Sequence, residues 1–345
     1  MGFLRLLRMM RLLLAQDALL PPDFFTEAPL RIRLARRLFT LGAKRFREDQ
    51  RGQALSDRIR KLGPTYIKLG QFLATRSDII GLAMAQDLRH LQDRLPPFSD
   101  KQVARLLATE LDNSDAILKD MGAPIAAASI AQVHMATHRE TGQKLAVKFL
   151  RPGVEDRLRA ELALLGRVAV WAERFFPITH RLRPVDAITT LARSINGETD
   201  FRMEAAALSE MGENTEKDKG FCVPDIIWEA SGRRVLTMSW IDGVSASDIE
   251  GLKKDGHDLS DLATRLLQAF LTLVLRDGFF HADMHQGNLL VQKDGTIVAI
   301  DLGICGRLDK DSRRFLAEIL HGFITRDYVK LAQVHIEAGY VPDHH

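Results

Sequence analysis

The stretch from Phe279 to Gly303 reads F-F-H-A-D-M-H-Q-G-N-L-L-V-Q-K-D-G-T-I-V-A-I-D-L-G, with polar residues placed around two short apolar runs. The runs 289–292 and 296–300 flank an Asp-Gly pair, and this pattern predicts a β-hairpin. Such a hairpin folds back so that Asn288 and Asp301 lie at the same end. The sequence therefore predicts one cluster of polar groups at that end.

Three residues of this stretch have the spacing that Mg²⁺-nucleotide chemistry requires. Asp283, Asn288 and Asp301 follow the order H-x-D-x-x-x-x-N and D-x-G, in which the first Asp orients the acceptor and the other two hold metal. Each residue alone can also be a turn or strand-end residue, but the three together with the hairpin favour phosphoryl transfer. We assign His281 mainly to bracing the loop, and His285 stays unassigned.

The composition bounds the class of protein. The 345 residues are 46% hydrophobic and 27% charged, which is typical of a globular protein with a sizeable core. The two cysteines, Cys222 and Cys305, lack metal-ligand spacing and indicate a reducing compartment. No apolar run reaches the roughly 18 residues that span a bilayer, so we do not expect an integral membrane protein.

Positive charge is concentrated at the N-terminus. Residues 1–50 carry ten Lys/Arg and five Asp/Glu, whereas the whole chain has a net charge of +3. The remainder therefore has no general basic surface for nucleic acid, and no nucleic-acid partner is expected.

The first residues form a basic amphipathic pattern. Residues 2–14 read G-F-L-R-L-L-R-M-M-R-L-L-L, where Arg5, Arg8 and Arg11 recur every three residues opposite Leu and Met. A helix of this type is suited to an anionic membrane surface. Two alternatives stay open, a helix packed on its own protein and an organelle targeting peptide.

Other elements follow from local patterns. Pro64 predicts the start of a helix over 65–76, in which Lys68 and Gln71 share a face and Gly70 needs a reason such as close backbone approach. Further patterns predict strands over 129–138, 143–150 and 234–240, and helices over 154–176, 311–322 and 328–339.

Four motifs in order carry a family resemblance. They are K-L-G-Q at 68–71, A-A-A-S-I-A-Q-V-H at 126–134, E-T-D at 198–200 and G-F-F-H-A-D-M-H-Q-G-N at 278–288. From about residue 60 onward the chain thus resembles the UbiB family of atypical kinases, whose eukaryotic relatives are the ADCK proteins. The resemblance implies an α+β, protein-kinase-like, two-lobed fold with a helical N-terminal extension over the active site. It also implies a link to ubiquinone (coenzyme Q) biosynthesis.

The resemblance extends to the nucleotide site. Lys148 in L-A-V-K matches the strand lysine that pairs with the α/β-phosphates. The loop that covers the phosphates is expected at Ala126, Ala127, Ala128 and Ser129, and it contains no glycine, unlike the G-x-G-x-x-G loop of ordinary kinases. We infer that this loop holds the nucleotide differently.

The acidic residues near 200 are assigned by the same resemblance. We expect Glu204 to pair with Lys148, and Glu198 with Asp200 to face Lys68 and the metal. Asp200 and Glu204 are four residues apart and are predicted to share a helical face, whereas Glu198 and Glu204 are six apart and do not. The two glutamates can still exchange roles.

Four segments are predicted: a basic amphipathic segment at 1–60, a helical extension at 61–120, an N-lobe at 121–240 and a C-lobe at 241–345. Only 42 residues follow Gly303, which is short for a C-lobe, so a truncated form is expected.

These observations predict an ATP- and Mg²⁺-dependent atypical kinase or ATPase. Its catalytic residues are Asp283, Lys148, Glu204, Lys68 and Gln71, and its metal ligands are Asn288 and Asp301. Expected partners are a lipid or quinone precursor, the membrane surface and quinone-biosynthesis proteins. The expected location is peripheral, with the kinase-like domain in the cytoplasm at a bacterial inner membrane, or in the mitochondrion of a eukaryote. The alternatives are a non-catalytic, nucleotide-switched scaffold and a small-molecule phosphotransferase of the antibiotic-kinase type.

Overall fold

The computed structural model describes residues 2–15, 33–34, 37–38, 40–41, 51–80, 82–89, 91, 95–112, 114–175 and 183–341. Within these ranges helices combine with short, mainly antiparallel strands, so the predicted α+β class is confirmed. No helix in them is both long and apolar enough to cross a lipid bilayer.

The helices with defined bounds include all those predicted from the sequence. In chain order they are α1 (Gly2–Ala15), α2 (Arg51–Leu62), α3 (Pro64–Ala74), α4 (Ser77–Ile80), α5 (Leu82–Arg89), α6 (Asp100–Glu110), α7 (Ser114–Ile117), α8 (Val154–Phe175), α9 (Pro184–Glu198), α10 (Phe201–Thr215), α11 (Ile249–Lys254), α12 (Leu259–Thr272), α13 (Lys310–Thr325) and α14 (Tyr328–Glu337). A π-helical turn at Leu273–Asp277 follows α12, and short 3₁₀ turns lie at Trp228–Ala230 and Gln286–Asn288.

Most of the strands are short, and the longest are Ala131–His138 and Lys144–Leu150. In chain order the strands are β1 (Leu118–Lys119), β2 (Pro124–Ala127), β3 (Ala131–His138), β4 (Lys144–Leu150), β5 (Phe221–Cys222), β6 (Val235–Ser239), β7 (Val244–Ser245), β8 (Phe279–His281), β9 (Leu289–Val291), β10 (Ile297–Ala299) and β11 (Cys305–Arg307). They form three sheets, of order β1-β3-β4-β6 with β2 paired to β3, β5-β10-β9-β7, and β11-β8.

Backbone contacts divide the chain into two units. The first comprises Met1–Asp112, Met121–Met135 and Lys148–Thr199, and the second comprises Asn113–Asp120, Ala136–Val147 and Asp200–His345. These units alternate along the sequence. The four consecutive segments predicted from the sequence stay a prediction.

Helix α1 packs by its apolar side within the first unit. Leu6 and Met9 are buried, and α1 contacts α8. Arg5 Nη1 lies 2.7 Å from Oε1 of Glu161 on α8, a side chain that is only 3% exposed. In the structure this helix therefore packs on its own protein, which is one of the alternatives left open by the sequence. Part of the basic face remains at the surface, so membrane binding by α1 stays a prediction.

Helix α3 begins at Pro64, as predicted. The residue before it, Gly63, has φ +106°, a conformation that favours glycine. Gly70 is buried in the middle of the helix, and a Cβ there would lie 2.5 Å from Cδ2 of Leu91. Gly70 is therefore closely approached, but by a side chain and not by backbone.

The two predicted hairpins are also present. Strands β3 and β4 are joined at a turn in which the amide of His138 donates to the carbonyl of Gln143 at 2.8 Å, and Gly142 has φ +73°. Strands β9 and β10 pair antiparallel, with Val291 opposite Ile297 and Leu289 opposite Ala299.

Candidate active site

The β9–β10 hairpin positions two of the predicted metal ligands. Because Leu289 lies opposite Ala299, Asn288, one residue before Leu289, and Asp301, two residues after Ala299, lie at the same end. The amide of Ile300 donates to the carbonyl of Asn288 at 2.9 Å and extends the ladder to that end. The hairpin thus places these two residues at one end of the same ladder, within the second unit.

The loop between β8 and β9 is held by its own hydrogen bonds. The carbonyl of Asp283 accepts from the amide of His285 at 2.9 Å and from Nδ2 of Asn288 at 3.4 Å. Because Nδ2 of Asn288 donates to the loop backbone, Oδ1 is the side-chain atom that can bind a cation. The Asp283 side chain is exposed, which is the arrangement that an acceptor-orienting carboxylate requires.

His281 braces this loop from the buried side. It ends β8 opposite Cys305 on β11, is 2% exposed, and its Nδ1 accepts from the amide of Asp283 at 3.0 Å. Burial lowers the pKa of His281, against the raising effect of Asp301 and Asp283. The ring is therefore neutral near pH 7, with the proton on Nε2. This geometry agrees with the bracing role expected of His281.

Asp301 lies two residues after the end of β10, and its Oδ1 accepts from the amide of Gly303 at 3.1 Å. This turn within the D-x-G motif orients the carboxylate at the end of the hairpin. Nearby, burial raises the pKa of Cys305 to about 12. That thiol is thus protonated and is not a nucleophile at neutral pH.

The donor set at this end fits Mg²⁺. Carboxylate and amide oxygens are hard ligands, and Mg²⁺ is usually bound by one or two protein ligands together with water and phosphate oxygens. In the described ranges no group of three or more His, Cys, Asp and Glu side chains is arranged to hold a metal. Asn288 and Asp301 supply one amide and one carboxylate side chain of this ligand type.

The K-L-G-Q helix carries an ion pair in the first unit. Nζ of Lys68 contacts Oε2 of Glu198 at the end of α9, and their side chains are 16% and 10% exposed. Gln71, one turn further along α3, is half-buried. The structure thus brings Lys68 and Glu198 together, as the sequence predicted, while their roles in catalysis stay predictions.

The predicted placement of Asp200 on a helical face with Glu204 is wrong. Asp200 is the N-cap of α10, with extended backbone, and its Oδ1 accepts from the amide of Arg202 at 3.2 Å. The Arg202 guanidinium donates to both carboxylate oxygens, at 2.9 and 2.6 Å, and these bonds lower the pKa of Asp200. A capping side chain turns back toward the helix start, whereas Glu204 is buried in the first turn.

The remaining predicted residues lie in different units. Lys148 is half-buried on β4 in the first unit, and Glu204 belongs to the second. Their pairing stays a prediction. Ala126 and Ala127 end β2, and the amide of Ala128 donates to the carbonyl of Ala131 at 2.7 Å, with Ser129 buried between them.

Sequence reasoning missed the side chains that support this Ala-rich loop. Gln132 and His134 are buried, and Nε2 of Gln132 lies 2.8 Å from Nε2 of His134. The signal was available, since residues two apart on a strand lie on one face. The local pattern does not show which residues that face contacts.

Comparisons with known proteins agree on the family. Residues 90–335 match the ABC1 atypical kinase-like domain. "Probable protein kinase UbiB" of Aliivibrio salmonicida is 37% identical over 94% of this chain and 61% of its own length. The protein of the same name from Aeromonas hydrophila is 37% identical over 99% of this chain and 63% of its own. The chain thus spans about 60% of the length of the curated relatives it matches.

A solved structure supports the fold. "The complex structure of Rv3197-erythromycin from Mycobacterium tuberculosis" matches with a TM-score of 0.58 and 25% identity, over 92% of this chain and 76% of that chain. The protein-kinase-like fold expected from the motifs is confirmed by this match and by the family model. The chain belongs to the ABC1 atypical kinase-like family, and the resemblance to UbiB proteins inferred from its four motifs is confirmed.

Proposed function

We propose that the chain is an ATP-binding, Mg²⁺-dependent atypical kinase or ATPase of the UbiB type that supports ubiquinone biosynthesis at a membrane surface. The observation that carries the proposal is the position of Asn288 and Asp301 at one end of the β9–β10 hairpin, next to the loop that bears Asp283. Membership of the ABC1 family supports the use of ATP.

The proposed chemistry depends on position and charge. Phosphoryl transfer needs the attacking oxygen in line and the phosphate charge neutralised. Asp283 orients the attacking hydroxyl or water, Asn288 and Asp301 hold the metal, and Lys148 holds the α/β-phosphates. When bound, Mg²⁺ neutralises charge on the phosphate oxygens.

The residues of the extension have supporting roles in this proposal. Lys68 and Gln71 on α3 act with Glu198 and Asp200 near the nucleotide, and Glu204 positions Lys148. Asp200 reaches the nucleotide only if it exchanges its bonds to Arg202, so its role is the most demanding of the set. The Ala-rich loop 126–129 covers the phosphates.

The acceptor and the location are parts of the same proposal. The ligand class is a lipid or quinone precursor, and quinone-biosynthesis proteins are partners. The exposed basic side chains of α1 provide a contact with an anionic membrane surface.

Thermal unfolding with nucleotide tests the proposal most directly. A ligand that binds only the folded state at a hundredfold excess over Kd stabilises it by about 2.7 kcal/mol. We expect Mg²⁺-ATP to raise Tm of the wild type and to raise it far less in Asp301→Asn. The control Asp311→Asn makes the same chemical change at an exposed residue of α13 and is expected to respond as wild type. Equal shifts in all three proteins, or none, would contradict the proposed site.

One observation favours a second candidate, a small-molecule phosphotransferase. The solved structure that matches this chain is described as a complex with erythromycin. If this candidate is correct, a macrolide will raise Tm and become phosphorylated without any effect of lipid vesicles. If the first proposal is correct, a lipid or phenolic quinone precursor will raise turnover and the macrolide will not.

A further inference from the structure

A short proline-rich segment lies against the Ala-rich loop. We call Leu95–Phe98, which reads L-P-P-F, the proline strap. Its first amide, that of Leu95, donates to the carbonyl of Ala127 at 3.2 Å, and so extends the edge of β2. Strap and loop both belong to the first unit.

Gln132 fastens the other end of the strap. Its Oε1 accepts from the amide of Phe98 at 2.8 Å, and its Nε2 lies 3.4 Å from the carbonyl of the same residue. Gln132 has no exposed surface. A buried amide side chain that is satisfied in this way specifies one position of its partner.

His134 completes the hydrogen-bond chain. Because the Nε2 group of Gln132 only donates, Nε2 of His134 must accept at 2.8 Å, and the ring proton lies on Nδ1. Nδ1 then donates to the carbonyl of Gly122, just before β2, at 2.8 Å. The chain therefore ties the strap to the start of the Ala-rich strand.

Arg151 ties the strap to the end of the same loop. Its Nε donates to the carbonyl of Ala128 at 2.9 Å, its Nη2 donates to the carbonyl of Leu95 at 3.4 Å, and its guanidinium lies 5.8 Å from the ring centroid of Phe98. A carbonyl held by a guanidinium cannot turn toward phosphate oxygens, which it would repel.

The proline strap and the Ala-rich loop are each conformationally restricted. Pro96 and Pro97 fix φ near −65° and cost little entropy to order. The loop lacks glycine between Gly122 and Gly142, so it does not reach the conformations that a Gly-rich phosphate loop uses. Contacts of stiff segments fix one arrangement better than contacts of flexible ones.

We propose that Gln132 and Arg151, through the proline strap, are positioning residues that hold the Ala-rich loop in its nucleotide-binding conformation. His134 assists by orienting Gln132. This inference rests on the proposed function, because it assumes that the loop covers the phosphates of ATP.

The test measures loop mobility and nucleotide affinity separately. Gln132→Met and Arg151→Met remove the polar groups at similar length, and Arg151→Lys keeps one charged donor. Thr215→Val, in α10 of the second unit, is the matched control, because it also removes a buried polar group, one that donates to Met211 at 2.8 Å. Amide hydrogen exchange of residues 125–131 is measured without ligand, and the Kd for Mg²⁺-ATP is measured by titration.

We expect faster exchange in residues 125–131 and about a fivefold or greater rise in Kd for both Met variants, the factor that follows from loss of one or two net hydrogen bonds. Arg151→Lys should recover part of both effects, and Thr215→Val should change neither. If Gln132→Met fails to fold, Arg151→Met and Arg151→Lys make the same test, because the Arg151 side chain is only half-buried.

Three results would overturn the inference. Unchanged exchange in the variants would show that the strap does not brace the loop. Faster exchange with unchanged Kd would show that the braced conformation is not needed for the nucleotide. Absence of ATP binding in the wild type would contradict the proposed function and, with it, this inference. If the variants still exchanged faster in that case, the strap would brace the loop, and only the assignment of ATP as the ligand would be wrong.

Discussion

Asp283 is held through its backbone while its side chain stays exposed. Its amide donates to His281, and its carbonyl accepts from the amide of His285 and from Nδ2 of Asn288. Asp283→Asn keeps the shape of the side chain and these bonds, but removes the carboxylate that we propose orients the acceptor. Loss of general base catalysis costs about 10²–10⁴-fold. We expect ATP turnover to fall by that factor, measured as ADP formation, with the Mg²⁺-ATP shift in Tm unchanged.

The control for this change is again Asp311→Asn, which leaves the loop intact. Turnover in Asp283→Asn close to that of the control would show that Asp283 does not have the role we give it. Loss of both turnover and the Tm shift would mean that the loop itself has collapsed, which the bonds around Asp283 predict will not happen.

At the scale of elements, the packing of α3 depends on one missing methyl group. A Cβ at Gly70 would lie 2.5 Å from Cδ2 of Leu91, and Leu91 is 4% exposed. We expect overpacking in Gly70→Ala to cost about 1–3 kcal/mol, offset in part by about 1 kcal/mol of helix propensity, so that the free energy of unfolding falls by about 0–2 kcal/mol. In a Leu91→Ala background the clash is absent. There, Gly70→Ala should raise the free energy of unfolding by about 1 kcal/mol, because Ala has a higher helix propensity than Gly.

Urea unfolding of the four proteins measures this coupling. Residues in contact show interaction free energies of about 0.5–3 kcal/mol, whereas independent residues add. Additive effects of Gly70→Ala and Leu91→Ala would show that the close approach does not decide the choice of glycine.

At the scale of the whole molecule, membrane binding can be separated from folding. Removing residues 1–20 would also remove the buried side chains Leu6 and Met9, so charge variants make the cleaner test. Arg8 and Arg11 are exposed, and each basic residue near an anionic surface contributes about 1 kcal/mol. We expect the double variant Arg8→Gln/Arg11→Gln to bind anionic liposomes with roughly 30-fold lower affinity than wild type, measured by flotation.

The matched control removes the same charge elsewhere in the first unit. Arg167 on α8 and Arg193 on α9 are exposed, and their double Gln variant should float as wild type. Equal flotation of the two double variants would show that α1 serves only to pack against α8, through Leu6, Met9 and the Arg5–Glu161 pair.

The hairpin that positions the candidate site could be predicted because it is local. An Asp-Gly turn between apolar runs specifies a hairpin, and a hairpin specifies that Asn288 and Asp301 meet at one end. The placement of Asp200 was wrong for an equally local reason. Four-residue spacing implies a shared helical face only inside a helix, and an Asp that accepts from the amide two residues later caps the helix instead of entering it.

The sequence by itself determined the family, the order of the elements and the spacing of Asp283, Asn288 and Asp301, since motifs, turns and hydrophobic periods act over a few residues. Only the tertiary structure decided that Arg5 meets Glu161, that Leu91 lies over Gly70 and that Gln132 holds Phe98. These partners are between 21 and 156 residues apart. A periodic pattern shows which face of an element is buried, but the partner on that face depends on how the whole chain packs.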